Sequence, residues 1–267
     1  MGRIEQIFIK LKEKGEKALI PYIMAGDPDL RTTESLILTI ERAGADILEL
    51  GVPFSDPIAD GPTIQRASER SLKSGTTLKK VMAFVKKLRK KASIPIIIMT
   101  YYNIILQYGI ARFPSDAAAS GIDGIIIPDL PPEEALEFTK YSRKAGLDTI
   151  FLLAPTSTEE RIKRVASAST GFIYYVSMTG ITGARLSNLL EIKGKIPEIR
   201  QCTDLPVAVG FGITNEGEAR KIAQWADGVI VGSALVRLIE ENSRNRRLQS
   251  NVDGFIRSLK RALIIPP

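Results

Sequence analysis

Eight short apolar runs, each followed by a stretch with helical spacing, recur along the 267 residues and restrict the chain to folds built on a parallel sheet. The runs are Ala18–Met24, Ile47–Gly51, Pro95–Thr100, Gly124–Ile127, Thr149–Leu153, Gly171–Val176, Leu205–Val209 and Val229–Val231. Most are nearly continuous in Ile, Val and Leu, as strands covered on both faces should be. Leu36, Ile40 and Ala43 mark a helix face between the first two. Pro62 opens a helix behind Asp60-Gly61, and others are predicted over Thr77–Lys91, up to Ser120-Gly121, over Pro132–Ala145 and after the capping residues Ser157-Thr158-Glu159-Glu160. Val252, Phe255, Ile256, Leu259 and Leu263 make an amphipathic closing helix, and Ile4, Ile7, Phe8 and Leu11 an N-terminal one outside the repeat. Eight β-then-α units in this length are what a single-domain (β/α)8 TIM barrel over residues 1–267 needs, with an N-terminal helix and extra helices added. An open doubly wound sheet is the alternative that periodicity leaves.

Composition narrows the chemistry. The chain has no histidine, which removes the commonest general base, any Ser-His-Asp triad and nearly all zinc hydrolase sites. Acid–base work must fall to carboxylates, tyrosines or lysines. One cysteine, Cys202, allows no internal disulfide and suits a reducing compartment. No apolar run approaches the ~20 residues that span a bilayer, and the N-terminus has no signal-peptide core, so a cytoplasmic location is expected, with the plastid stroma open if a transit peptide was removed. A net charge of +7 permits anionic partners, but the densest basic run, Lys86, Lys87, Arg89, Lys90 and Lys91, shares a helix with Leu78, Val81, Met82, Val85 and Leu88. It reads as a solvated helix face, and no nucleic-acid motif accompanies it.

In a barrel the active site lies at the C-terminal strand ends. Those ends carry Tyr22, Met24, Asp27, Glu49, Thr100, Tyr102, Asp129, Tyr174 and Tyr175, and no lysine that could form a Schiff base. Glu49 interrupts an apolar strand where an unpartnered ionised carboxylate costs several kcal/mol, so it is kept for chemistry or lies at a mouth of the sheet. The loop behind it, punctuated by Pro53, Pro57 and Pro62, brings Asp60 toward the same space. Glycines follow the last three strands, in Gly180-Ile181-Thr182-Gly183, Gly210-Phe211-Gly212 and Gly232-Ser233. Together with a helix starting at Ser233 they let backbone N–H groups approach an anion, at the phosphate position this fold reuses.

The segment ELG before PFSDPIADGPTIQ (Pro53–Gln65), followed in order by VSMTGITG, GFGI and VGSA, closely resembles the tryptophan synthase α subunit family, nearly end to end. The resemblance implies a (β/α)8 barrel that cleaves indole-3-glycerol phosphate to indole and glyceraldehyde 3-phosphate. It implies no cofactor and no metal in this chain, and a β-subunit partner in an α2β2 complex that carries pyridoxal phosphate and makes tryptophan. Carried over residue by residue, Glu49 is the general acid–base, Asp60 holds the indole N–H and Tyr174 stands near Glu49; Tyr175, on the opposite strand face, ranks lower. Gly183, Gly212, Gly232 and Ser233 match phosphate-binding positions. Tyr22, Ile64, Thr100, Ile127 and Phe211 would line the indole pocket, with Thr182 reaching Asp60 from its loop. Pro53, Asp56 and Pro57 fall in the partner-contact region. Tyr22 and Thr100 depart from the more apolar residues expected there. Rival phosphosugar barrels fit less well: paired-aspartate isomerases would want Asp where strand five ends in Leu153-Ala154-Pro155, and indoleglycerol-phosphate synthase would want a strand-end lysine.

Overall fold

A computed structural model of the chain describes residues 1–176, 185–210 and 212–264. Its strands are β1 (Ala18–Met24), β2 (Leu48–Gly51), β3 (Ile96–Met99), β4 (Gly124–Ile126), β5 (Asp148–Ile150), β6 (Leu152–Leu153), β7 (Ile173–Val176), β8 (Val207–Gly210) and β9 (Gly228–Val231). All pair in parallel in one sheet, ordered β5-β4-β3-β2-β1-β9-β8-β7-β6. Around it lie α1 (Arg3–Glu13), α2 (Leu30–Arg42), α3 (Pro62–Lys73), α4 (Leu78–Leu88), α5 (Tyr102–Tyr108), α6 (Phe113–Ala119), α7 (Leu136–Ala145), α8 (Glu159–Ala168), α9 (Arg185–Arg200), α10 (Glu216–Ala223), α11 (Ser233–Asn242) and α12 (Leu248–Leu263).

The two ends of that order meet in sequence. β5 pairs with β4 and β6 with β7, and only Phe151 lies between them. Ile150 and Leu152 belong to the inner core and Phe151 to the outer one, so the alternation of a single strand runs through the break. The Phe151 carbonyl still accepts from Tyr174 N–H at 3.2 Å. The fifth predicted strand is therefore one barrel strand in two ladder segments, and the sheet closes with eight strand positions. That closure selects the barrel over the open sheet.

Strand parity separates two cores. Inward-facing Ala18, Ile20, Ile47, Ile97, Ile126, Ile150, Ala208 and Ile230 fill the barrel, and Ile4, Phe8 and Leu11 of α1 close its N-terminal end with Phe172. Outward-facing residues such as Leu19, Leu48, Ile98 and Val229 pack under the helices. Four helices begin where a side chain satisfies a free N–H group of the first turn: Asp29 accepts from Thr32, Thr77 from Lys80, Thr158 from Arg161 and Asn215 from Glu218. The helix expected over Pro132–Ala145 starts only at Leu136. Glu134 N–H bonds Pro131 O at 3.0 Å and Ala135 N–H bonds Pro132 O at 3.3 Å, so the Pro131-Pro132 pair makes tight turns first. Of the basic run, the lysines are exposed, while Arg89 turns inward onto Asp123, Gly121 O and Ile94 O.

Two inward positions near the top are glycine because tyrosine rings occupy the space. A Cβ on Gly51 would lie 2.1 Å from the Tyr22 hydroxyl, and one on Gly210 would lie 2.7 Å from that of Tyr174. Gly51→Ala should therefore lower stability by about 1–3 kcal/mol, as overpacking does. Denaturant unfolding of G51A against the parent measures this, and Tyr22→Phe in the same background should recover part of the loss.

Candidate active site

β2 carries Leu48 and Leu50 outward and Glu49 inward, in register with Tyr22 of β1 and Ile97 of β3. The Glu49 side chain is 1% exposed, and its Oε2 has no hydrogen-bond partner among the described residues. Burial first, and then the charge of Asp60, push its carboxyl up to about 8. Asp60 is only partly buried, and burial pushes it up to about 6 while hydrogen bonding from the Tyr101 hydroxyl opposes the rise. Tyr174 projects inward from β7; burial, then Glu49, then Asp60 hold its hydroxyl well above the ordinary tyrosine range. Tyr22 is raised by burial and by the same two carboxylates. The four groups thus share one space at the C-terminal end of the barrel.

The acidic loop reaches this space because it is strapped down. Phe54 N–H donates to Ser68 Oγ at 3.0 Å, and that hydroxyl donates back to Phe54 O at 2.9 Å. Gln65 Nε2 donates to Asp60 O at 2.8 Å, and Ala59 N–H to the Tyr101 hydroxyl at 3.0 Å. The Phe54 ring stacks on Tyr101 with centroids 5.1 Å apart. Tyr101, absent from the strand-end residues named from the sequence, is the residue missed; its position directly after the third strand was the available signal.

The remaining expected residues divide. Tyr22 and Ile64 pack together with Met24, Ala67 and Val236, and Met99 lies against them. Thr100 is buried, with Oγ1 unpartnered among the described residues. Ile127 packs in the sheet–helix layer, so the structure does not bring it to Tyr22 and Ile64. Its odd position after inward-facing Ile126 is the reason. Asp129 accepts from Tyr102 N–H at 2.9 Å and is an exposed cap for α5, not a member of the acid–base group. Gly212 takes a positive φ of 32°, and Gly232 precedes Ser233, the first residue of α11, whose leading N–H groups have no partner within the helix. Gly183, Thr182 and Phe211 lie outside the described residues. Of the partner-contact residues, Asp56 is exposed and Pro57 half-buried. Pro53 is buried within the chain, so it shapes the loop and offers no surface to a partner.

Residues 8–263 match the family model described as tryptophan synthase alpha chain. The chain is 55% identical to the tryptophan synthase alpha chain of Geotalea daltonii, over 97% of its own length and 98% of that relative's. It is 54% identical to that of Geotalea uraniireducens, over 97% of both. Among solved structures, tryptophan synthase subunit alpha from Legionella pneumophila superposes with a TM-score of 0.92 at 40% identity, covering 98% of each chain. The chain belongs to the tryptophan synthase alpha chain family. It is a lyase of tryptophan biosynthesis that cleaves indole-3-glycerol phosphate, and a β partner makes tryptophan. The family and barrel expected from the sequence both hold. No described helix is long and apolar enough to cross a membrane.

A buried carboxyl held protonated also marks the stability of the fold. Between the ordinary glutamate value of 4.5 and the folded value of about 8, the unfolded chain loses a proton that the folded chain keeps. Stability contributed by this group is therefore present below pH 4.5 and is lost as pH rises to about 8. Glu49→Gln should match the parent's stability near pH 4 and exceed it by up to about 4 kcal/mol at pH 8. Chemical denaturation across that range checks the sign.

Proposed function

We propose that Glu49, Asp60 and Tyr174 carry the cleavage and that residues 1–267 form one catalytic unit around them. The observation behind this reading is that two carboxyls in one space are pushed to different values, about 8 for Glu49 and about 6 for Asp60. Near pH 7 the first is an acid and the second a base. Protonated Glu49 delivers its proton to indole C3, leaving positive charge on the ring nitrogen, which ionised Asp60 stabilises through the N–H. The Glu49 carboxylate then takes the proton of the adjacent side-chain hydroxyl. As that O–H electron pair becomes a carbonyl bond, the bond from C3 to the side chain breaks, and its electrons neutralise the ring. Indole and glyceraldehyde 3-phosphate result, and Glu49 regains its starting proton.

Tyr174, its hydroxyl held protonated, walls the space beside Glu49. Tyr22, Ile64 and Thr100 border the ring; Thr182 and Phe211 are assigned to the pocket by resemblance alone. Gly212, Gly232 and Ser233, with Gly183, take the phosphate at the start of α11. Asp56 and Pro57, beside Ile58 at 82% exposure, face the β subunit. That subunit carries the pyridoxal phosphate, this chain works without a cofactor, and the complex is cytoplasmic.

Indole release from indole-3-glycerol phosphate by the purified chain, alone and with a β subunit, tests the reading. The pH profile of kcat/KM should be bell-shaped, rising through about 6 and falling through about 8, as apparent values of the carboxyl pair. Glu49→Gln should lower kcat by about 10²–10⁴-fold, the usual worth of a positioned acid–base. Asp60→Asn should remove the acid limb of the profile. Retained activity in E49Q overturns the assignment.

A further inference from the structure

The two ends of the proposed site are joined on the outside of the barrel by an ion-pair chain that the chemistry above leaves unused. α3 begins immediately after Asp60, and α11 begins at the Gly232-Ser233 anion end. Arg70 of α3 grips Asp27, beyond β1, with Nε to Oδ1 at 2.7 Å and Nη2 to Oδ2 at 2.8 Å. Its remaining Nη1 donates to Glu240 of α11 at 2.6 Å. Arg66, one turn earlier on α3, donates to both oxygens of the same Glu240 at 2.9 and 2.8 Å. Asp27 is buried at 4% exposure, whereas Glu240 is about a quarter exposed.

Hydrogen bonding from Arg66 comes first, and with Arg70 it holds Glu240 down to about 2, so this carboxylate stays ionised at every working pH. Bidentate guanidinium–carboxylate pairs fix orientation as well as distance. Beneath them, Ile64 and Ala67 of α3, Val236 of α11, and Tyr22 and Met24 of β1 form one apolar cluster. Ser74 Oγ also donates to Gly26 O at 3.0 Å, and Gln65 ties the start of α3 to Asp60. Thus α3 is a brace whose leading end carries Asp60 and whose flank is bolted to both β1 and α11.

We propose that Arg70 and Glu240, with Arg66 and Asp27, are positioning residues that hold the Asp60 end of the site in register with the anion end at Ser233. This rests on the site reading given above. A substrate with an aromatic ring and a phosphate on one short tether needs both ends at a fixed separation, and a misplacement of ~1 Å can cost about 100-fold in rate. Ligands that occupy only one end do not feel that separation.

The test compares Glu240→Gln and Arg70→Lys with the parent. Kinetics use indole-3-glycerol phosphate, and calorimetry measures binding of indole and glycerol 3-phosphate separately. E240Q lies at the surface and is isosteric, so it keeps the fold accessible if R70K does not. Expected is a loss of kcat/KM of about 10–100-fold, with each fragment's affinity held within about twofold. R70K, which keeps the charge but loses the fork, should fall near E240Q, and the double variant should lose much less than the product of the two. Unchanged kcat/KM with a lowered Tm overturns the proposal and leaves a structural brace. A parallel loss of fragment binding overturns it as well. If the parent itself binds no glycerol 3-phosphate, or Asp60→Asn is without effect, the site reading has failed first.

Discussion

Holding one carboxyl inside a closed barrel is the constraint on which the rest of this structure depends. Below it the described interior is filled by apolar side chains such as Ile20, Ile47, Ile97 and Ile126. Glu49, one pleat above Ile47, is equally enclosed, with one oxygen unpartnered among the described residues. An ionised group there would be costly, and the chain resolves the cost by keeping the proton. The same burial that weakens the fold at higher pH thereby supplies an acid at neutral pH. Stability and chemistry draw on a single interaction with opposite signs.

The barrel tolerates this because its two ends are built differently. Toward the N-terminal end, α1 inserts Ile4, Phe8 and Leu11 beneath the ring of Ile and Ala side chains, and fully burying such a residue is worth roughly 1.5–3 kcal/mol. Toward the C-terminal end, the interior positions become Tyr22, Glu49, Gly51, Met99, Tyr174 and Gly210, a pattern of large rings set against glycines. Space taken by one strand is released by its neighbour, so the rings stand close to the carboxyls without a Cβ in the way. The apolar plug makes the polar end affordable.

The order of strands, the N-terminal helix and the inward placement of Glu49 were legible in the sequence, because each follows from a period of two or 3.6 and from a carboxylate in an apolar run. Closure was not. It depends on Phe151 interrupting a ladder while preserving parity, and nothing local to Thr149–Leu153 distinguishes that from an ordinary strand. Ile127, placed in the pocket by the resemblance, follows inward-facing Ile126 and so packs in the sheet–helix layer instead. Pro53 shows the limit of motif position, because a residue within a contact region can be buried inside its own chain. Tyr101 was overlooked for a related reason. It lies just past the third predicted strand, and its bond to Ala59 and stacking on Phe54 arise only once a loop from another unit folds over it.

That folding-over links the loop to the rest of the site. Asp60 belongs to no regular element, yet its backbone is held by Gln65, the preceding Ala59 by Tyr101, and Phe54 by Ser68. Two of these three anchors sit on α3, so the position of the second carboxyl follows the helix more than the strand before it. α3 is in turn joined to β1 through Asp27 and to α11 through Glu240. The loop between β2 and α3 would otherwise leave Asp60 free to choose its distance from Glu49, and the separation of their two values depends on that distance. The helix layer, usually assigned only to stability in this fold, therefore sets the electrostatics at the barrel mouth.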